Sequence, residues 1–149
     1  METLFDPTAY QSMLRRLDSI RPDAERQWGK MTVAQMMEHT ARAVEVAAGK
    51  RVSKHFLIGK LLGWIYWKGF VGPKPFQRNG PTGADFIIRY EPAFDATKER
   101  LRTLVGEFHQ LGEQGCDGNV HGFFGPMTGG QWGLTQHKHL DHHFRQFGA

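Results

Sequence analysis

Four stretches of this sequence carry apolar residues at the spacing of an amphipathic α-helix, and this recurrence constrains the fold more than any other feature. In residues 8–20 the apolar positions recur every three or four residues until Pro22 ends the pattern. Residues 94–112 repeat it, with Asp95 as the expected N-cap. The two stripes are Tyr10, Met13, Leu14, Leu17 and Ile20, and Leu101, Leu104, Val105, Phe108 and Leu111. Both segments are predicted to be helices that bury one face.

Two further segments carry helix start and stop signals. Thr32 followed by Gln35 is a capping-box pattern, and Gly49 stands where a C-terminal cap is expected. These signals predict a helix over about 33–48, and a last helix is predicted over about 128–146. Four helices of about 13 to 19 residues predict an all-α protein, specifically a four-helix bundle.

The connection between the second and third predicted helices is the least regular part of the chain. One more short helix is expected within residues 55–70, although Gly59, Gly63 and Gly69 weaken that assignment. The remainder of residues 50–93 is expected to be loop. Its length predicts a long crossover connection in place of a hairpin, and loops this long inside a compact domain commonly serve a function.

The length of 149 residues fits one domain, so residues 1–149 are expected to share a single core. No run of about 18 to 20 apolar residues is present, so no membrane span is expected. The N-terminal METLFDPTAY lacks a basic region followed by an apolar one, which argues against export. The single cysteine, Cys116, excludes an internal disulfide, has no activating neighbour in sequence and suits a reducing compartment. A cytoplasmic location is therefore expected.

The charge pattern does not indicate a nucleic-acid partner. The formal net charge is +4, but 19 Lys and Arg residues are scattered among 15 Asp and Glu residues. The nearest basic runs, residues 15–17 and 68–78, are short, and no recognition motif accompanies them. The basic residues are interpreted as ordinary surface charge.

Four histidines fall within residues 137–143, near the end of the last predicted helix. At about 100° per residue, His139 and His143 lie about 40° apart on one face. The same face carries Trp132, Gln136 and Gln146. His137 and Asp141 fall near the opposite face, where the two side chains are expected to pair in solvent. The inward pair is therefore the candidate site.

A third inward histidine is expected on the second predicted helix. His39 lies at the border of that helix's apolar stripe, beside Ala43 and Ala47, whose small side chains allow a neighbouring helix to approach. A protein metal site usually needs at least three ligands, so the inward pair requires such a partner. An isolated inward histidine is more commonly a hydrogen-bonded core residue, and that alternative stays open here. Glu38 is expected to face solvent.

Two motifs in this sequence resemble those of a known protein family. HLDHHFRQF, residues 139–147, fits the pattern HxxHHxxQ that closes the last helix of DinB-like proteins, and KMTVAQMMEHTARA, residues 30–43, looks like their second-helix segment with its histidine. Residues 121–149 resemble the C-terminus of an uncharacterised DinB-like family with a loop HPxFGxLT, although Gly122 replaces the proline. The resemblance covers both ends of the chain and is thin across residues 50–93.

The resemblance implies a four-helix bundle that holds one divalent metal ion through three histidines, which correspond to His39, His139 and His143. Three imidazoles do not select a single metal; zinc or nickel is expected first, with iron or manganese as alternatives. Leu140 follows His139, so the glutamate of an HExxH motif is missing and a peptidase of that kind is not expected.

Two more residues are candidates for contact with a ligand or substrate. Gln146 lies one turn beyond His143, where it can hydrogen-bond a metal ligand or a bound molecule, or simply be a polar residue at a helix end. His121 precedes the last helix and is expected near a substrate entrance; the alternative is a turn packed by neighbouring phenylalanines. Trp28 and Trp132 are expected to be core residues, and His55 and His109 surface residues.

The favoured function is a metal-dependent enzyme acting on a small molecule. The resemblance implies a thiol-dependent transferase, with a low-molecular-weight thiol as substrate, or a hydrolase; no catalytic residue is assigned. The first alternative is a non-enzymatic stress protein that binds a metal or a small ligand. The second is an interaction module that uses the aromatic segment 64–70, WIYWKGF, although core packing also explains that segment. A monomer or a homodimer is expected.

Overall fold

The computed structural model describes residues 1–53 and 57–149, and within these ranges the side chains of all residues except 57–62. Five α-helices dominate this described part, joined by one 3-10 turn and one short hairpin. The helices are α1 (Pro7–Ser19), α2 (Val33–Ala47), α3 (Leu57–Val71), α4 (Phe94–Cys116) and α5 (Gly129–Gln146). The turn is Ala84–Phe86, and β1 (Val120–His121) pairs antiparallel with β2 (Gly125–Pro126). The predicted all-α class is confirmed.

The helix starts follow side-chain capping. Thr32 and Gln35 form the predicted capping box of α2, in which each side chain bonds the other residue's backbone N–H. Thr128 and Gln131 form a second capping box at α5. Helix α4 begins at Phe94, the first residue of the predicted segment, but its N-cap is Ala93, so the assignment of Asp95 to that position is wrong. Asp95 lies instead in the first turn, where its negative charge interacts favourably with the positive end of the helix dipole.

Helix α4 changes direction at Gly112. Its backbone there has φ 64° and ψ −174°, outside the helical region, although hydrogen bonding continues to Cys116. The predicted helix end at residue 112 thus coincides with a break within a longer element. Leu111, at the break, is 40 % exposed, so its predicted burial is wrong.

The core lies where α1, α2, α4 and α5 pack against one another. Its largest fully buried side chains come from all four helices and include Leu17, Met36, Met37, Leu101, Phe108, Trp132, Leu140 and Phe144. Trp132 is therefore a core residue as predicted, whereas Trp28 is only half-buried. The helices are held in position by apolar burial, which is the main stabilising contribution in a domain of this size.

Helix α3 runs for 15 residues through the glycines that weakened its prediction. Trp67 and Phe70 pack against Phe124, at ring-centroid distances of 5.4 and 4.4 Å. Trp64, Ile65 and Tyr66 are exposed, so core packing explains only part of the aromatic segment. Lys138 of α5 donates hydrogen bonds to the carbonyls of Gly69, Phe70 and Gly72, which ties the end of α3 to α5. Among the described helices, none has the length and apolar character needed to cross a bilayer.

Two side chains expected in solvent are covered by other parts of the protein, one fully and one partly. Glu38 is 8 % exposed and pairs with Arg42 at 2.9 Å and with Arg100 of α4 at 2.6 Å. It is buried because α4 packs over that face of α2 and supplies the matching charge. His109 is half-buried, and its Nδ1 donates to the carbonyl oxygen of Leu4 at 2.7 Å. His55 lies outside the described residues.

Candidate metal centre

Helices α2 and α5 bring three histidines together. His39 faces α5 at the level of His139 and His143, and one ring nitrogen from each of the three lies within 4.8 Å of the others. Nε2 of His39 is 3.0 Å from Nε2 of His139. The three ring centroids are 4.7 to 4.9 Å apart. The three histidines that helical geometry and the family resemblance both indicated therefore form one cluster.

The backbone of the long connection sets the orientation of His39. Nδ1 of His39 lies 2.9 Å from the carbonyl oxygen of Phe86, the last residue of the 3-10 turn. A carbonyl can only accept, so Nδ1 carries the proton and donates it. The lone pair of the neutral ring is then on Nε2, which points at the other two histidines. Sequence reasoning missed Phe86, because no spacing rule relates a carbonyl in a loop to a helix 47 residues away.

Two consecutive hydrogen bonds, from the Trp28 carbonyl through the Gln146 amide, set the orientation of His143. The side-chain amide of Gln146 donates from Nε2 to the carbonyl oxygen of Trp28 at 2.7 Å. Its Oε1 therefore faces His143 and accepts from Nδ1 at 2.8 Å. The Nε2 of His143 is left as the free nitrogen, directed into the cluster. Gln146 is 2 % exposed, so it is part of this buried network and not a solvent-facing residue at a helix end.

Gly29 allows this network to form. Its backbone has φ 80°, and a Cβ at this position would lie 2.5 Å from Nε2 of Gln146. Only glycine combines that backbone conformation with so close an approach. The backbone N–H of Gln27 also donates to the carbonyl oxygen of Gln146, at 2.7 Å, so the loop before α2 is bonded twice to the end of α5.

Burial keeps the cluster neutral. Desolvation lowers the pKa of His143 to about 3, with further lowering by His39. The pKa of His39 is also lowered, mainly by burial. For His139, burial and then the neighbouring histidines hold the pKa well below its usual range. Neutral imidazoles are the form that coordinates a metal ion, so no proton has to leave the cluster at neutral pH.

The donor set and its spacing fit one metal ion. Two nitrogens bound to the same tetrahedral ion at 2.0 to 2.1 Å would be about 3.4 Å apart, close to the 3.0 Å between His39 and His139. Nε2 is the nitrogen left without a proton in His39 and His143, because both rings donate from Nδ1 to oxygen, the outer partner that metal-bound histidines commonly have. Nε2 of His139 lies 3.0 Å from Nε2 of His39, so the third ring also presents a nitrogen to the same place. His139 is half-buried, whereas His39 and His143 are buried.

His121 lies beside the cluster without joining it. Its Nδ1 accepts from the backbone N–H groups of Phe123 and Phe124, at 3.1 and 3.3 Å, which places its proton on Nε2. Burial lowers its pKa to about 4. Its ring is 5.1 Å from that of Phe70 and 5.7 Å from that of Trp132, and its charge state affects His139. His121 is thus a neutral hydrogen-bond donor next to the site.

His137 does not lie in solvent, so that expectation is wrong. It is 9 % exposed, and its Nε2 is 3.4 Å from a carboxylate oxygen of Glu2. The N-terminal segment packs over this face of α5, because Gly133 has no side chain to keep it away. The carbonyl oxygen of Gly133 accepts a hydrogen bond from the backbone N–H of Leu4. Asp141 pairs with Arg16 instead, at 2.9 Å. The helical angle nevertheless separated His137 correctly from the inward pair.

Comparison with known proteins identifies the family of this chain. The sequence matches the family model of the DinB superfamily over residues 7–147. Neither the curated proteins nor the solved structures contain a match to the chain. The family match spans nearly all 149 residues, and it includes every residue of the cluster and its partners. The chain belongs to the DinB superfamily.

Proposed function

We propose that this protein binds one divalent metal ion through His39, His139 and His143 and acts as a metal-dependent enzyme on a small molecule. The observation that carries the proposal is the convergence of three neutral imidazoles, each with a ring nitrogen within 4.8 Å of those of the other two. His39 and His143 both leave Nε2 without a proton, which is the form of the nitrogen that coordinates a metal ion. Zinc or nickel is the expected ion, with iron or manganese as alternatives.

Three protein ligands leave at least one coordination position for a substrate or water, which is the arrangement of a catalytic site. When bound, the ion supplies Lewis acidity to whatever occupies that position. The chain's own part is to hold the ligands: Phe86 orients His39, and Gln146 orients His143. Helix α4 packs against both α2 and α5, the two helices that carry the three histidines.

His121 is proposed to bind the substrate. Its Nε2–H belongs to a neutral ring at pH 7, so it can donate to a carbonyl, hydroxyl or thiolate without adding charge. A groove of about 670 Å³ between α3 and the β1–β2 hairpin is lined by Trp67, Phe123 and Phe124. The ring centroid of Phe124 is 4.9 Å from that of His121, so one aromatic side chain separates this groove from His121.

A transferase using a low-molecular-weight thiol and a hydrolase both fit an open three-histidine site. The chain's own thiol does not take part, because Cys116 is fully buried and burial raises its pKa to about 11. A thiol reaction would therefore need an external thiol. The non-enzymatic alternative, a stress protein that binds a metal or small ligand, has the same three ligands but no turnover.

The wider proposal concerns the whole chain. Residues 1–149 are proposed to form one domain, a four-helix bundle of α1, α2, α4 and α5, with residues 50–93 as the long crossover. Mutual contacts among these four helices support it. The protein is proposed to be cytoplasmic, monomeric or homodimeric, and without a nucleic-acid partner.

Metal content and turnover test this function separately. Protein prepared without a histidine tag is analysed for bound metals, and the metal-free form is titrated with Zn²⁺ and Ni²⁺. One ion per chain is expected. The loaded protein is then screened with thiol acceptors and with ester, amide and phosphoester substrates. Failure to bind any divalent ion contradicts the proposal, whereas binding without turnover selects the non-enzymatic alternative.

A further inference from the structure

Acidic residues are missing from one continuous stretch of the chain. Residues 46–84, between Glu45 and Asp85, contain seven Lys and Arg residues and no Asp or Glu. This positive segment has a formal charge of +7, and since the whole chain has +4, the remainder has −3. The basic residues by themselves are scattered, but the missing acids concentrate the charge. The positive segment is therefore expected to attract an anionic partner.

Helix α3 lies inside the positive segment, and one of its sides packs against the protein. The rings of Trp67 and Phe70 contact that of Phe124, at centroid distances of 5.4 and 4.4 Å. The carbonyl oxygen of Phe70 accepts from Lys138 of α5 at 2.8 Å. These contacts determine which side of α3 is turned outward.

The outward side of α3 is also apolar. At about 100° per residue, Ile65 points away from Trp67 and Phe70, with Trp64 and Tyr66 to either side of it. Trp64, Ile65 and Tyr66 are 76, 53 and 58 % exposed. Adjacent apolar side chains that stay exposed in the folded chain mark a site of interaction.

Lysine side chains accompany these apolar residues. Lys68 is exposed and follows Trp64 by four residues, which places it about 40° away on the same side of α3. Lys74, shortly beyond the end of the helix, is also exposed, and neither lysine forms an ion pair with a residue that the structure describes. Lys50 and Arg51, in contrast, pair with glutamates outside the positive segment. The charges of Lys68 and Lys74 are therefore available to a partner.

We propose that α3 binds the surface of an anionic lipid bilayer, with Trp64, Ile65 and Tyr66 inserted at the boundary and Lys68 beside the lipid headgroups. Trp and Tyr favour this boundary, because their rings are apolar while their polar atoms reach water. Lysine adds attraction to the anionic headgroups. The helix lies on the membrane and does not cross it. This binding goes beyond the proposed function and does not depend on a metal ion.

The charge and chemistry of the surface argue against other occupants. A twofold dimer would bring the positive segments of two copies together, where like charges repel. Single-stranded nucleic acid would stack its bases on aromatic rings, but Ile65, at the centre of the outward side, has neither a ring nor a hydrogen-bonding group. Asp117 lines a groove with Trp64, and its carboxylate accepts from the N–H of Gly129 at the start of α5, where the helix dipole offsets its charge.

Vesicle sedimentation tests the proposal with protein that carries no histidine tag. Vesicles of phosphatidylcholine with about one third phosphatidylserine are compared with vesicles of phosphatidylcholine alone. Binding to the anionic vesicles is expected to be about 10-fold tighter or more at low ionic strength. Salt at about 1 M should remove most of this difference, because it shortens the Debye length to about 3 Å.

Two pairs of variants separate the contribution of charge from that of apolar contact. Lys68→Gln should weaken binding about 5-fold, whereas Lys30→Gln, at an exposed lysine outside the positive segment, should bind nearly as wild type does. Ile65→Ser should weaken binding about 10-fold, whereas Leu111→Ser, at an exposed leucine of α4, should not. All four side chains are exposed, so melting temperatures close to that of wild type are expected and show that each variant is folded.

Tryptophan fluorescence locates the contact. Trp64→Phe keeps an apolar ring, so it should still bind the anionic vesicles but lose most of the shift to shorter emission wavelength that wild type shows on binding. No binding to anionic vesicles, equal binding to both lipid compositions, or unchanged affinity in either Lys68→Gln or Ile65→Ser would overturn the inference. A free protein that sediments as a dimer dissociated by Ile65→Ser would overturn it in favour of a second copy. Binding of labelled oligothymidine without binding of vesicles would overturn it in favour of nucleic acid.

Discussion

Nδ1 of His143 donates to Oε1 of Gln146 at 2.8 Å, and the same amide donates to the carbonyl oxygen of Trp28 at 2.7 Å. Because the Trp28 carbonyl can only accept, the orientation of the amide is determined by the loop that precedes α2. The loop therefore decides which nitrogen of a histidine on α5 stays free. The geometry of the candidate metal centre thus depends on a contact between two segments that are 118 residues apart in the chain.

Replacing Gln146 should weaken metal binding without removing a ligand. In Gln146→Leu the Nδ1–H of His143 loses its acceptor, so the ring is free to rotate or change tautomer. Zinc affinity is expected to fall about 10- to 100-fold, measured by competition with a chromophoric chelator. Gln146→Glu keeps an acceptor oxygen and should lose less. Equal losses in the two variants would mean that the hydrogen bond to His143 has no part in metal binding.

Gly29→Ala should weaken metal binding from outside the site. The new Cβ would lie 2.5 Å from Nε2 of Gln146 and would displace the amide, in addition to straining the backbone at φ 80°. Gly118→Ala is a matched control, because Gly118 has φ 79° with no atom within 4 Å of such a Cβ. Both variants should lose stability of about 1 kcal/mol through backbone strain. Only Gly29→Ala should also lose zinc affinity, as isothermal titration calorimetry would show.

His143→Ala should separate metal binding from folding. The core is built from apolar side chains such as Leu17, Leu101 and Leu140, so the metal-free variant is expected to melt cooperatively within several degrees of metal-free wild type. It should no longer retain stoichiometric zinc after dialysis, and any turnover should disappear. The control is His137→Gln, on the opposite face of α5, which should keep the ion although its buried position next to Glu2 costs some stability.

A different result would change the interpretation of the metal. If His143→Ala fails to fold, and wild type stripped of metal melts at a far lower temperature, the ion is structural and its binding energy belongs to folding. Loss of zinc from His137→Gln as well would contradict the separation of the two faces of α5. Metal content and melting curves measured on the same samples distinguish these cases.

The metal-free protein should lose stability in mild acid. His39, His139, His143 and His121 have folded-state pKa values below the usual 6.5, with about 3 for His143 and about 4 for His121. Between pH 6.5 and about 4 the unfolded chain therefore binds more protons than the folded one. As the pH falls through this window the free energy of unfolding decreases, by up to roughly 1.4 kcal/mol per pH unit for each of His143 and His121, and it changes little above pH 7.

Urea unfolding at pH 7.5, 6.0 and 5.0 measures this dependence. His121→Gln removes one titrating group that is outside the histidine cluster. The free energy of unfolding of this variant should therefore decrease less steeply than that of wild type as the pH falls, with a difference in slope that corresponds to about one proton. Unchanged steepness would mean that His121 is not desolvated in the folded protein. A protein that is equally stable at pH 7.5 and 5.0 would contradict the neutral, buried state of all four rings.

Much of the architecture was predictable from local patterns. Apolar periodicity located α1, α2, α4 and α5 to within a few residues, and the capping pair Thr32 and Gln35 marked the start of α2. The face shared by His139 and His143 followed from helical geometry alone. These features depend on neighbours within four residues in the chain, for which sequence order and spatial order agree.

Errors arose where a distant segment covers a helix face. Glu38 was expected in solvent because its angle on α2 points away from the apolar stripe, yet Arg100 of α4 meets it there. His137 was expected in solvent for the same reason, yet the N-terminal segment packs over it. A helical angle tells which residues share a face but not whether another element covers that face, and polar pairs give no apolar signal of their burial.

The helical elements, the inward direction of three histidines and the family of the chain follow from local sequence patterns. That His39 meets His139 and His143 depends on how α2 and α5 pack. Packing also sets which ring nitrogens are free: the Phe86 carbonyl acts directly on His39, and the Trp28 carbonyl acts on His143 through Gln146. Helix formation depends on local hydrogen bonds and periodicity, whereas the protonation and direction of His39 and His143 depend on oxygen atoms that packing brings within reach.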